Sequence, residues 1–146
     1  EYISLRFLDF VVGQTYVDRM QREVSKEIVT GTTKDTSGKI INVYTTVKAT
    51  LYITKKTVIS KGLLDYTITD TNNGTILRTD RIPGSYTWLN QFGTYKGDYR
   101  ALSDEDKRLM GGRDELPPPA QDLFIEFTRP IYDQLERDLQ SFYFRL

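Results

Sequence analysis

The chain has 146 residues, with 20 Lys and Arg against 20 Asp and Glu, so its formal charge is zero and its electrostatics favour neither nucleic acid nor an anionic membrane as partner. It contains no cysteine and no histidine, which removes disulfides, thiol nucleophiles, the commonest general base and the commonest transition-metal ligand. No apolar run approaches the ~20 residues of a membrane-spanning helix, and a single domain of this length buries enough surface to fold without staples.

In chain order, Glu1 opens directly on Tyr2–Val12, which is apolar on both faces. It reads as a strand covered on both sides, at the start of a fragment or C-terminal domain of a longer exported chain. Gly13-Gln14 reads as a break. Thr15–Thr30 fits two patterns. As a helix it places Val17, Met20, Val24 and Ile28 on one stripe, and as a strand Tyr16, Met20, Val24 and Ile28 on one face. The polar turn Gly31–Gly38 is followed by the cleanest period-two pattern of the chain: Ile41, Val43, Val47, Ala49, Leu51 and Ile53 against Tyr44, Lys48 and Tyr52. A strand of that length needs a long partner for its hydrogen-bonding edge, which favours strand for Thr15–Thr30. The first set is expected to face the core and the second not.

Lys61-Gly62 reads as a turn. Leu64, Tyr66 and Ile68 then alternate up to Asn73-Gly74, a hairpin signal because both residues tolerate positive φ. The return strand, Thr75–Ile82, meets Pro83-Gly84, which places it at an edge or a bulge. Asn90–Arg100, rich in aromatics and glycine, reads as an ordered loop. Ser103 to Asp106 is a capping box for a short helix ended by Gly111-Gly112. Pro117–Pro119 is a stiff connector. Phe124, Phe127, Ile131, Leu135, Leu139 and Phe142 draw one helical stripe expected to lie on the sheet, with Pro130 kinking or dividing that helix. The whole reads as one α+β domain over 1–146: an antiparallel sheet of about five long strands covered by a C-terminal helix.

For chemistry, little is left. Asp104, Glu105 and Asp106 complement a helix dipole. Asp98 and Asp114-Glu115 are the carboxylates nearest the aromatic stretch, and nothing in their spacing demands the 5–9.5 Å pairing, roughly, of a glycosidase. No phosphate-binding glycine motif occurs, and no metal, cofactor or catalytic residue is expected. The stretch with the most ligand-like composition is Tyr86, Trp88, Tyr95, Asp98, Tyr99 and Arg100: rings to stack, and a charge of each sign to orient a polar ligand. The plainer reading is that the rings anchor a loop.

Gly62-Leu63-Leu64-Asp65, Ile82-Pro83-Gly84 with Tyr86 and Trp88, Gly97–Leu102, and Pro117–Pro119 with Gln121–Phe124 follow one another in an order that resembles the C-terminal region of a group of uncharacterised Bacteroidota envelope lipoproteins, over residues 60 to 146. The resemblance implies an extracytoplasmic domain, periplasmic or tethered to the outer membrane, that meets a membrane only through an upstream anchor. It assigns no residue a role. The expectation is a non-enzymatic envelope binding or assembly module with a protein partner. The alternative is a carbohydrate-binding domain that uses Trp88, Tyr95 and Tyr99.

Overall fold

The computed structural model describes residues 1–145. Three strands dominate it: β1 (Tyr2–Lys34), β2 (Ile40–Thr69) and β3 (Ile76–Gly97). A 3-10 turn (Tyr99–Ala101) and two helices follow, α1 (Asp104–Met110) and α2 (Ala120–Tyr143). The strands form one antiparallel sheet in the order β1-β2-β3. The α+β class therefore stands, but the expected sheet of about five strands is corrected to three longer ones.

Two of the expected turns are real. Asp35 caps the β1–β2 turn, its Oδ1 accepting the backbone N–H of Ser37 and Lys39 at 2.9 and 2.8 Å. Asp70 does the same for Asn72 at 2.9 Å in the β2–β3 hairpin, where Gly74 takes φ +71°. The other expected breaks lie inside strands. Asp9 and Gly13 take positive φ, 44° and 76°, without ending β1, so Tyr2–Val12 and Thr15–Thr30 are one strand. Gly62 and Gly84 stand inside β2 and β3, at positions where a neighbour passes too close for a side chain. A Cβ on Gly62 would meet a Phe127 ring carbon at 2.9 Å, and one on Gly84 would collide with Ile131 Cγ1 and lie 2.6 Å from the Phe127 carbonyl oxygen. The expected loop at Asn90–Arg100 is strand as far as Gly97. Gly93 marks another close approach, 2.7 Å from its notional Cβ to the Tyr52 carbonyl oxygen.

The chain packs as two compact units, each with its own core. The first comprises residues 1–16, 57–88 and 116–145. Leu64, Tyr66, Ile68 and Ile82 of its strands are buried with Phe127, Ile131 and Leu135 of α2, and Phe7, Phe124, Leu139 and Phe142 pack around them. The predicted helical stripe thus lies on the sheet. α2 runs through Pro130 without dividing, and Pro130 itself is exposed.

The second unit comprises residues 17–56 and 89–115. Val47, Ala49, Leu51 and Ile53 are buried with Ala101 and Leu102, and Leu109 and Met110 of α1 pack on them. Tyr44, Lys48 and Tyr52 are exposed, as the alternation requires. Ile41 and Val43 break the expectation, being 42% and 41% exposed. The cause is length: β3 ends at Gly97, where Asp98 N–H donates to the Lys48 carbonyl at 2.9 Å. Beyond that point β2 pairs with β1 alone, and the helix-covered cluster reaches only to Val47.

Candidate functional site

The structure divides the six candidate residues. Tyr86 and Trp88 belong to the first unit, where both are half-buried and Tyr86 packs on the core. Tyr95, Asp98, Tyr99 and Arg100 belong to the second, where β3 gives way to the 3-10 turn. Tyr95 and Tyr99 are 39% and 48% exposed, with ring centroids 5.7 Å apart and planes inclined at 49°. The Lys107 ammonium of α1 sits 5.1 Å from the Tyr99 centroid, in cation–π range.

Asp98 and Arg100 are committed to each other. Arg100 Nε and Nη2 donate to the Asp98 carboxylate at 3.0 and 2.6 Å, and the Arg100 backbone N–H donates to the same carboxylate at 3.0 Å. The guanidinium and then the backbone N–H hold the Asp98 carboxyl down to about 2. The carboxylate therefore organises its own turn, with much of its accepting capacity used.

Next to this turn a concavity of about 700 Å³ crosses the sheet, lined by Glu23, Ser25, Lys48, Thr50 and Lys96 among others. The Lys96 ammonium lies 5.8 Å from the Tyr52 ring centroid. Lys48 and Tyr52 were readable as the uncovered set of the alternation. Lys96 was not, because its segment read as loop.

Two of the other candidate carboxylates also have cations. Asp114 pairs with Lys56. Asp106 is buried, accepts from Arg22 Nη2 at 2.5 Å, and forms the predicted capping box with Ser103. Burial works against its charge, but the hydrogen bonds from Ser103 and Arg22 outweigh that and lower its pKa. Asp106→Ala should cost about 1–2 kcal/mol, the size of a lost cap contact, in urea unfolding at neutral pH. A depressed carboxyl contributes stability above its unfolded pKa of about 4 and loses it as pH falls through the lower folded value. The gap between wild type and Asp106→Ala should therefore narrow on acidification.

Comparison with protein-family models, curated proteins and solved structures returns no match to this chain.

Proposed function

We propose that this chain is a non-enzymatic binding or assembly module of the bacterial envelope, and that it docks a protein partner on the end of the β1–β2 hairpin. The observation behind this reading is apolar surface. Val29, Ile40, Ile41, Val43 and Tyr44 are 41% to 66% exposed where two strands run beyond the third. A two-stranded ribbon is marginal in water, and this one carries exposed apolar side chains on both of its faces, surface that a partner can cover. Chemistry has less support: Asp98, Asp106 and Asp114 are each engaged by a cation. The envelope location, with any membrane contact through an upstream anchor, rests on the family resemblance.

A photo-crosslinking residue in place of Tyr44 should give a discrete adduct with an envelope protein in the producing cell. Val43→Lys should weaken that capture about tenfold or more, as loss of an interface anchor does, and leave stability within about 0.5 kcal/mol, because Val43 is exposed. No adduct, or capture indifferent to Val43→Lys, would remove the reading. Carbohydrate binding on Tyr95 and Tyr99 is the second reading, favoured by their exposed paired rings. A glycan array separates the two.

A further inference from the structure

Two departures from local backbone rules in the first unit, at Asp9 and Pro130, meet an edge-strand proline, Pro83, at one groove. Asp9 is the only non-glycine among the described residues with positive φ, at 44°. Side chains disfavour that conformation, Asp and Asn least among them. Pro83 stands within β3 and Pro130 within α2, each withholding a backbone N–H from its element. All three line a concavity of about 540 Å³, with Gly84, Lys61 and Ser85 beside them. That volume lies within the range of roughly 300–1,000 Å³ usual for small-ligand pockets. Sequences that are consistent elsewhere tend to break local rules where function or strain requires it.

The charges point to a ligand class. Asp9 and Lys61 carry opposite charges on the same groove, yet neither forms an ion pair among the described residues. They lie further apart than the 4.0 Å of an ion pair. A molecule with an ammonium at one end and a carboxylate at the other can bridge them. The rest of the lining is two prolines, two glycines, Leu63 and Ser85, so the groove offers apolar contact and glycine positions that let a peptide backbone come close. Ser85 adds one hydroxyl that can donate or accept.

We propose that this groove binds a short peptide by its two free ends, the ammonium at Asp9 and the carboxylate at Lys61. This surface is separate from the hairpin end, and the proposal does not depend on that reading.

The test is a heteronuclear NMR titration of the chain with alanyl-alanine, N-acetyl-alanyl-alanine and alanyl-alanine amide. Alanyl-alanine should shift the amides of Asp9, Lys61, Gly62, Gly84 and Ser85, saturating with a Kd at or below the millimolar range. Blocking either end should weaken binding about tenfold. Asp9→Asn tolerates the same backbone conformation, and it should bind the acetylated and free-amine peptides equally. Lys61→Gln should likewise lose discrimination between carboxylate and amide. The unperturbed remainder of each variant's spectrum reports that the fold is retained. The proposal is overturned by shifts that are absent, that ignore both end groups, or that fall instead on the Lys48 and Lys96 concavity. Discrimination that survives both substitutions overturns it as well.

Discussion

Phe127→Ala should lower the unfolding free energy by about 3–5 kcal/mol, the usual cost of deleting a fully buried aromatic ring. Phe127 is completely buried, and its ring lies against Gly62, a strand position with no side chain of its own. Its centroid is 5.1 Å from that of Phe124 and 6.4 Å from that of Phe7, both edge-on. Such pairs contribute about 0.5–1.5 kcal/mol beyond their buried area. Gly62 has no side chain to fill the space, so collapse requires the neighbouring rings or α2 itself to shift, and cavities that collapse poorly cost most. Leu135→Ala, at 6% exposure near the margin of the same cluster, should fall nearer 2 kcal/mol. Denaturant unfolding of both variants checks the order. A loss under about 0.5 kcal/mol for Phe127→Ala, the size of a surface effect, would mean that α2 does not cover this face.

Periodicity carried most of what could be read in advance. The odd-numbered set Val47 to Ile53, the stripe on α2 and the Ser103–Asp106 capping box depend on neighbours within a few residues or on a repeat that needs no neighbour at all. Strand number was not legible for a different reason. Gly13, Gly62, Gly84 and Gly93 carry the same letter as the turn glycines Gly38 and Gly74. What requires glycine at 62 and 84 is the approach of Phe127 and Ile131, more than forty residues further along the chain. For Gly93 the partners are Tyr52 and Met110, on either side of it in sequence. A glycine that admits a neighbour and a glycine that turns the chain differ only in tertiary context.

The candidate site was legible in composition but not in connection. The sequence offers six candidates from Tyr86 to Arg100, and only Tyr95, Asp98, Tyr99 and Arg100 gather where β3 gives way to the 3-10 turn, Tyr86 and Trp88 belonging to the other unit. Nothing local announced that Asp98 and Arg100 would take up each other's hydrogen bonds. Nor did it announce that Arg22 would reach Asp106, 84 residues away. Ile41 and Val43 were expected in the core because alternation specifies a face and says nothing about whether anything covers it. Their exposure follows from where β3 ends, a length set by Gly97 and the cap at Asp98.

Gly84→Ala tests the glycine reading directly, and it should destabilise the chain by about 3 kcal/mol, at the upper end of ordinary overpacking. The added methyl would collide with Ile131 Cγ1 and sit 2.6 Å from the Phe127 carbonyl oxygen. The first contact involves a side chain that can change rotamer. The second is helix backbone, so relieving it means lifting α2 away from the strands it covers. Adding Ile131→Ala should therefore recover only part of the loss, after allowance for the cost of Ile131→Ala itself. Gly31→Ala is the control. It stands in β1 with nothing within 4 Å of its notional Cβ and no positive φ, and should change stability by no more than about 0.5 kcal/mol. These variants, with Ile131→Ala alone, are compared by denaturant midpoint at constant m. If Gly84→Ala proves as neutral as Gly31→Ala, Pro83-Gly84 is the flexible break that its sequence suggests, and α2 does not pack on β3 at this point.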